Sequence, residues 1–161
     1  TGSQMVAPLR WNIRDLRIGD EVAVYGFPGE AGAQGQASYA RSRITELKGP
    51  DGQPNWIQLS HVIAHGNSGG PVLDMAGNVI GVIAAIAQTY RTDPQGNITG
   101  APVTQSDVAI TLADLQDFLQ TSGVSFYQSA TGNSGYADGI LEQNAQKFIV
   151  PIHCVQGTVV R

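Results

Sequence analysis

Apolar and polar positions alternate over several short stretches, and turn formers separate them. Val22, Val24 and Phe27 mark a strand over 21–27 that stops at Pro28-Gly29. Ala31 to Gly35 reads as a loop of small residues. Tyr39, Ile44 and Leu47 mark a longer strand over 37–47. Gly49-Pro50-Asp51-Gly52-Gln53-Pro54-Asn55 is dense in turn formers and predicts a hairpin loop, after which 56–59 resumes as a strand. Val72-Leu73, a turn at 75–78 and the run 79–89 predict a further hairpin. Its second arm is almost continuously apolar, as in a strand buried along much of its length. Residues 90–105 read as a loop, marked by Asp93-Pro94, Gly96 and Gly100-Ala101-Pro102, and 107–110 give a last strand.

After the sixth strand the period changes. Thr111 and Asp114 form a capping-box-like pair, and Leu112, Leu115, Phe118 and Leu119 make one apolar helix face that ends at Gly123. A Ser/Gly/Asn linker over 125–136 leads to a weaker helix, 138–147, with Ile140, Leu141 and Ala145 on one side. Phe148, Val150 and Ile152 then alternate as a strand, with Pro151 placing it at an edge. Pro8, Asn12, Arg14 and Asp15 interrupt any run in 6–20, which reads as a linker; Thr1–Met5 has the look of a tag remnant, so an upstream segment with its own address signal is expected. The divisions are therefore 1–18 (remnant and linker), 19–123 (strands plus helix) and 124–161 (extension).

Composition supports an all-β chain. The 161 residues suit about one domain, 20 are glycine, and charged residues make up 14 % against the roughly 25 % of ordinary soluble domains. The net charge is −4 with no basic run, so neither nucleic acid nor an anionic membrane surface is favoured as a partner. No apolar stretch reaches the roughly 18 residues of a membrane span. The single cysteine, Cys154, excludes an internal disulfide and reads as a small core residue. No His, Cys and carboxylate cluster has metal spacing, Gly29, Gly32 and Gly35 precede no helix that would cradle phosphate, and no cofactor is expected. Asn97-Ile98-Thr99 is a glycosylation sequon to which no function is attached.

The candidate chemistry lies in His65-Gly66-Asn67-Ser68-Gly69-Gly70-Pro71-Val72-Leu73. A tight glycine-rich turn would place the Ser68 hydroxyl beside the convergent amides of Gly66 and Ser68. Those are the parts of acyl transfer: a nucleophile and donors for the oxyanion it creates. This loop resembles the nucleophile loop of chymotrypsin-fold serine proteases, and Asn67 rather than Asp before the serine is more like the bacterial Deg/HtrA branch and some viral relatives. Leu16–Gly29, Gly77–Ile83 and Val108-Ala109-Ile110 before a helix resemble, in order, further stretches of the family's second barrel. The resemblance implies an all-β fold: a six-stranded antiparallel barrel, then a C-terminal helix and a short α/β tail.

It implies a trypsin-like serine endopeptidase with Ser68 as nucleophile and Gly66 among the oxyanion donors. It also implies a specificity pocket from His61–Ala64 (hence Val62, Ile63 and Ala64), Ala84–Ile86 (Ala84, Ala85 and Ile86) and Asp107–Ala109. His65 falls at the pocket rim, and Ala84–Ile86 would pair main chain to main chain with an extended substrate. Val62 at the base suggests a small or medium apolar side chain at the cleaved position. Asp107 would favour Arg or Lys if it pointed inward; a solvated loop-end carboxylate is the plainer reading.

The chain also departs from the family. The base and its orienting carboxylate lie on a preceding barrel there, whereas His61 and His65 stand too near Ser68 to match them. His61 and His153 read as structural. The missing N-terminal barrel would have to be supplied in cis or in trans, and the apolar face it leaves is expected to drive homodimerisation. The partner is a peptide or protein substrate. The alternative is a non-catalytic module with a protease-like barrel that binds peptides or complements another chain. A location is not read from the residues; the resemblance favours the periplasm or secretion.

Overall fold

In the computed structural model, which describes residues 7–10, 15–129 and 135–152, the chain runs β1 (Pro8–Arg10), β2 (Glu21–Gly26), α1 (Gly29–Ala33), β3 (Ser38–Glu46), β4 (Trp56–Ser60), β5 (Pro71–Asp74), β6 (Val79–Thr92), β7 (Ile98–Thr111), α2 (Leu112–Thr121), β8 (Tyr127–Ser129) and α3 (Asp138–Ala145). Strands β2 to β7 close an antiparallel barrel in the order β5-β2-β3-β4-β7-β6, with β5 returning to β6. Closure pairs each strand of the ring with two neighbours, so the ring has no edge strand, although β6 runs on past the end of β5. β1 adds in parallel to β6 at Leu9↔Val79, and β8 adds in parallel to β1.

Alternation decides which side chains fill the barrel. Val22, Val24, Ile44, Ile57, Leu59 and Ile83 point inward and are buried. On β3 the outward Arg41, Arg43 and Thr45 remain exposed, as the period-two pattern requires, while Tyr39 packs against the outer cluster. On β2 they do not, because Ala23 and Tyr25 are as buried as Val22 and Val24. A second apolar cluster covers that outer face, with Leu9, Leu73, Val79, Leu112, Leu141 and Ala145 packed around Ala23 and Tyr25. The outer face of β2, β5 and β6 is thus sealed by β1, α2 and α3 of the same chain.

Several local expectations change. Residues 90–105 are not a loop: β6 and β7 continue as a paired ribbon to Thr92↔Ile98. The turn formers occupy less chain than their density suggested. Only 93–97 turn, with the Asp93 carboxylate accepting from the amides of Gln95 and Asn97. Gly100–Val103 falls within the register shift between Thr89↔Thr104 and Arg91↔Thr99, where Pro102 is tolerated. Residues 29–33 form the short helix α1 instead of a loop, and 127–129 pair as β8 inside the expected linker.

The capping box at α2 is not made. Asp114 accepts from the Asn55 side chain at 2.9 Å, and Thr111 makes no side-chain cap. Phe118 turns outward, 65 % exposed, because Leu112, Leu115 and Leu119 alone face the outer cluster. The strand expected over 148–152 is absent. These residues leave α3 without a ladder partner, and Pro151 lacks the amide a ladder needs. Residues 1–6, His153 and Cys154 lie outside the described residues.

Candidate active site

Two tight turns back to back shape the loop between β4 and β5. The Asn67 amide donates to the Ala64 carbonyl at 3.1 Å, and the Gly70 amide donates to the Asn67 carbonyl at 2.9 Å. Each turn has a glycine at its third position, Gly66 at φ 104° and Gly69 at φ 84°. That left-handed geometry is what a type II turn demands of its third residue, and glycine adopts it without a Cβ clash. Ser68 is the second residue of the second turn, so the chain presents it outward, and it is exposed.

The loop is anchored on three sides. Gly69 donates to the Ile83 carbonyl at 2.8 Å, and Ile83 donates back to Gly70 at 2.9 Å. The Gly29 amide donates to the His65 carbonyl at 3.1 Å, which ties α1 to the loop. Asn67 is buried beneath, packed against Gly26, where a Cβ would meet the Asn67 Cα at 2.9 Å. The bonding of the loop amides is uneven in a useful way. Those of Asn67, Gly69 and Gly70 are all engaged, while those of Gly66 and Ser68 have no acceptor among the described residues. Two free donors flanking one exposed hydroxyl is the arrangement an oxyanion site uses.

Asp107 holds the approach to this loop. It stands opposite Leu59 on the β4–β7 ladder and is fully buried. One carboxylate oxygen accepts from His61 Nδ1 at 2.6 Å; the other accepts from the amides of Val62 at 2.8 Å and Ile63 at 3.1 Å. The solvated loop-end reading is therefore replaced. Burial is possible because three donors satisfy the carboxylate. His61, read from sequence only as structural, is the third donor, and its ring stays partly exposed.

The remaining pocket candidates separate into two groups. Ile63 is buried in the barrel interior, whereas Val62, Ala64 and His65 are exposed on the segment leading to Ser68. Ala84, Ala85 and Ile86 lie just past the end of β5, whose pairing with β6 stops at Pro71↔Val82. One edge of this stretch bonds to β7, and the other carries no strand among the described residues. The Ser68 hydroxyl has no hydrogen-bond partner among the described residues, and the His61 ring is engaged by Asp107.

A groove of about 740 Å³ opens beside Ser68. Phe27 and α1, residues 148–152, and Pro71, Val79 and Val82 line it together with the nucleophile loop. Sequence reading missed the contribution of 148–152. The available signal was an apolar run, Phe148-Ile149-Val150-Pro151-Ile152, that no barrel strand requires. Among the described residues no His, Cys or carboxylate group could hold a metal ion, and no helix is long and apolar enough to cross a membrane.

Comparison with known proteins agrees with this geometry. Residues 3–82 match the model of the trypsin-like peptidase domain. The uncharacterized protein y4bJ of Sinorhizobium fredii is 30 % identical over 141 residues, which is 87 % of this chain and 22 % of that protein. A probable periplasmic serine endoprotease, DegP-like, of Bartonella henselae is 37 % identical over 71 residues, 44 % of this chain and 14 % of that one. The chain thus spans under a quarter of either relative. The solved structure of the HtrA-type protease AlgW with a decapeptide superposes with a TM-score of 0.54 at 23 % identity, covering 75 % of this chain and 34 % of that one. With its closed six-stranded barrel and a match to the trypsin-like peptidase domain over 3–82, the chain has the fold of trypsin-like proteases.

Proposed function

We propose that this chain supplies the nucleophile and oxyanion half of a serine endopeptidase. The observation that carries the reading is the pair of free amides at Gly66 and Ser68 beside the exposed Ser68 hydroxyl. Ser68 Oγ would attack the peptide carbonyl carbon and lose its proton to a base. The two amides would hold the oxyanion; the C–N bond would break as the base protonates the leaving amine, and water would then release the acyl group. The base and its carboxylate would come from a first barrel, in cis or in trans. Val62, Ala64 and His65 would line the acyl-side pocket. Ala84, Ala85 and Ile86 would take up the substrate as an added strand. Asp107 would act by positioning, since both its oxygens are engaged, and Ile63 would anchor the segment in the core. A periplasmic location fits this reading.

The second reading, a peptide-binding module, is favoured by one observation: the Ser68 hydroxyl has no base within hydrogen-bonding distance among the described residues. Labelling with a fluorophosphonate, which Ser68 Oγ would attack with loss of fluoride, decides between them. Without a base, triad enzymes keep only a residual of roughly 10³–10⁴ over water, so the chain alone should label slowly. The chain joined to a preceding His- and Asp-bearing barrel should label rapidly, and Ser68→Ala should abolish it. A joined protein that folds yet never labels removes the enzyme reading and leaves the binder.

A further inference from the structure

Of the residues expected to bind the acyl side of a substrate, the groove beside Ser68 includes only His65, at the rim. Val62, Ile63, Ala64, Ala84, Ala85 and Ile86 are all absent from its lining, and the groove meets the acyl side at the nucleophile loop, through His65, Gly66 and Ser68–Gly70. A peptide paired along Ala84–Ile86, with its reacting carbonyl at Ser68, must send its other half away from that edge. The groove is the concave surface on that other side.

Its chemistry is one-sided. Among the described residues no Asp, Glu, Lys or Arg lines it. Its far wall comes from outside the barrel. α3 is fixed by Leu141 and Ala145 in the outer cluster, and Phe148 and Ile149 pack against the same cluster. The amides of both turn back to the Ala145 carbonyl, at 3.1 and 3.2 Å. The chain then carries Val150, Pro151 and Ile152 along the groove, with Val150 72 % and Ile152 88 % exposed. Apolar side chains held at a cleft by a fixed base, and left open to water, are available to bury a ligand's apolar surface.

We propose that Phe148–Ile152 forms an apolar wall on the leaving-group side of Ser68, so that this site takes extended peptides with apolar side chains just after the bond to be cut. This rests on Ser68 being the reacting centre. The test is titration of the ¹⁵N-labelled chain with two short peptides bearing free amino termini, Leu-Leu-Ala amide and Asp-Asp-Ala amide. The expected result is saturable shifts at the amides of Ser68–Gly70, of Phe148–Val150 and of Ile152. Affinity for the leucine peptide should be about tenfold or more above that for the aspartate peptide, given the area a leucine side chain buries.

The double variant Val150→Asp, Ile152→Asp should erase the preference. Both positions are exposed, so the variant keeps its fold, which the unchanged barrel spectrum verifies. Equal affinity for the two peptides, or wild-type binding of the leucine peptide by the double variant, overturns the wall. The outcome is separable from the nucleophile reading. A protein that keeps the peptide preference but never labels at Ser68 has the wall without the chemistry. One that labels at Ser68 but shows no preference lacks the wall.

Discussion

The molecule has two apolar cores, and they are assembled differently. The inner one lies within the barrel and consists of aliphatic side chains from the closed ring of strands, joined by Leu16 and Ile63 from the flanking segments. The outer one lies between one side of the barrel and the layer made by β1, α2 and α3, and it includes an aromatic ring, Tyr25. The inner core is held by ladders running around a closed ring, so no strand can leave without opening the barrel. The outer core is held on one side by segments that pack but, for α3, form no ladder. Cooperative units of unequal stability are expected of such a construction. The nucleophile loop sits at the seam: it bonds to β6 of the barrel through Gly69 and Gly70, and shares its groove with the tail that follows α3.

The largest effect should come from truncating each core in turn. Leu59 and Leu141 are both fully buried, one in each. Leu59→Ala should cost about 2–5 kcal/mol and lower the denaturant midpoint of the whole domain. Leu141→Asp places a charge in the outer core, which α3 escapes by undocking. Amide exchange should then accelerate over 136–152 while β3, β4 and β7 stay protected. If Leu141→Asp unfolds the barrel strands together with α3, the two cores are one unit.

Asp107 sharpens the comparison at the seam. Asp107→Ala would leave the amides of Val62 and Ile63 buried or half-buried without their acceptor and release His61. Stability should fall by about 2–4 kcal/mol, since orphaned donors cost more than a bond contributes. In the protein joined to a first barrel, labelling at Ser68 should slow as well, because the segment leading to the nucleophile loses its tie to β7. A change within about 0.5 kcal/mol, as for a surface substitution, would mean that Asp107 holds nothing.

The sequence predicted the inner core far better than the outer one, for a physical reason. A strand facing water on one side writes its burial as period two, and β3 and β4 do so at Ile44, Ile57 and Leu59. The loop 64–70 was legible because glycine at Gly66 and Gly69 is the direct chemical signature of two left-handed turn positions. The outer core writes no such pattern. β2 is buried on both faces, and which segment covers its outer face depends on α3, sixty residues beyond the barrel's turn at Asp74–Asn78. Asp107 was misread as a loop end because its three donors, His61 and two backbone amides, come from a chain segment 44–46 residues away. The ribbon over 90–105 was taken for a loop because Pro102 and Gly100 occupy a register shift, and a shift is visible only when both strands are seen together.

The smallest effect is a pH dependence confined to the outer core. Every side chain of the inner cluster is aliphatic, so nothing there titrates. Tyr25 is the exception outside. Burial pushes its phenol above the ordinary 10.0 and Glu142 adds to this, while Gln146 on the C-terminal side of α3 opposes them. The folded state therefore holds the phenolic proton more tightly than the unfolded chain. Stability from this group is complete below pH about 10 and is lost as pH rises through the folded value. The unfolding midpoint should accordingly fall in strongly alkaline solution, and Tyr25→Phe should remove that part of the slope. At neutral pH the same substitution should change stability little, because the hydroxyl has no hydrogen-bond partner of good geometry to lose. Denaturant midpoints of both proteins, followed from pH 7 into the alkaline range, measure the difference. Coincident alkaline slopes would mean that the phenol is open to solvent, and that α3 does not lie on β2.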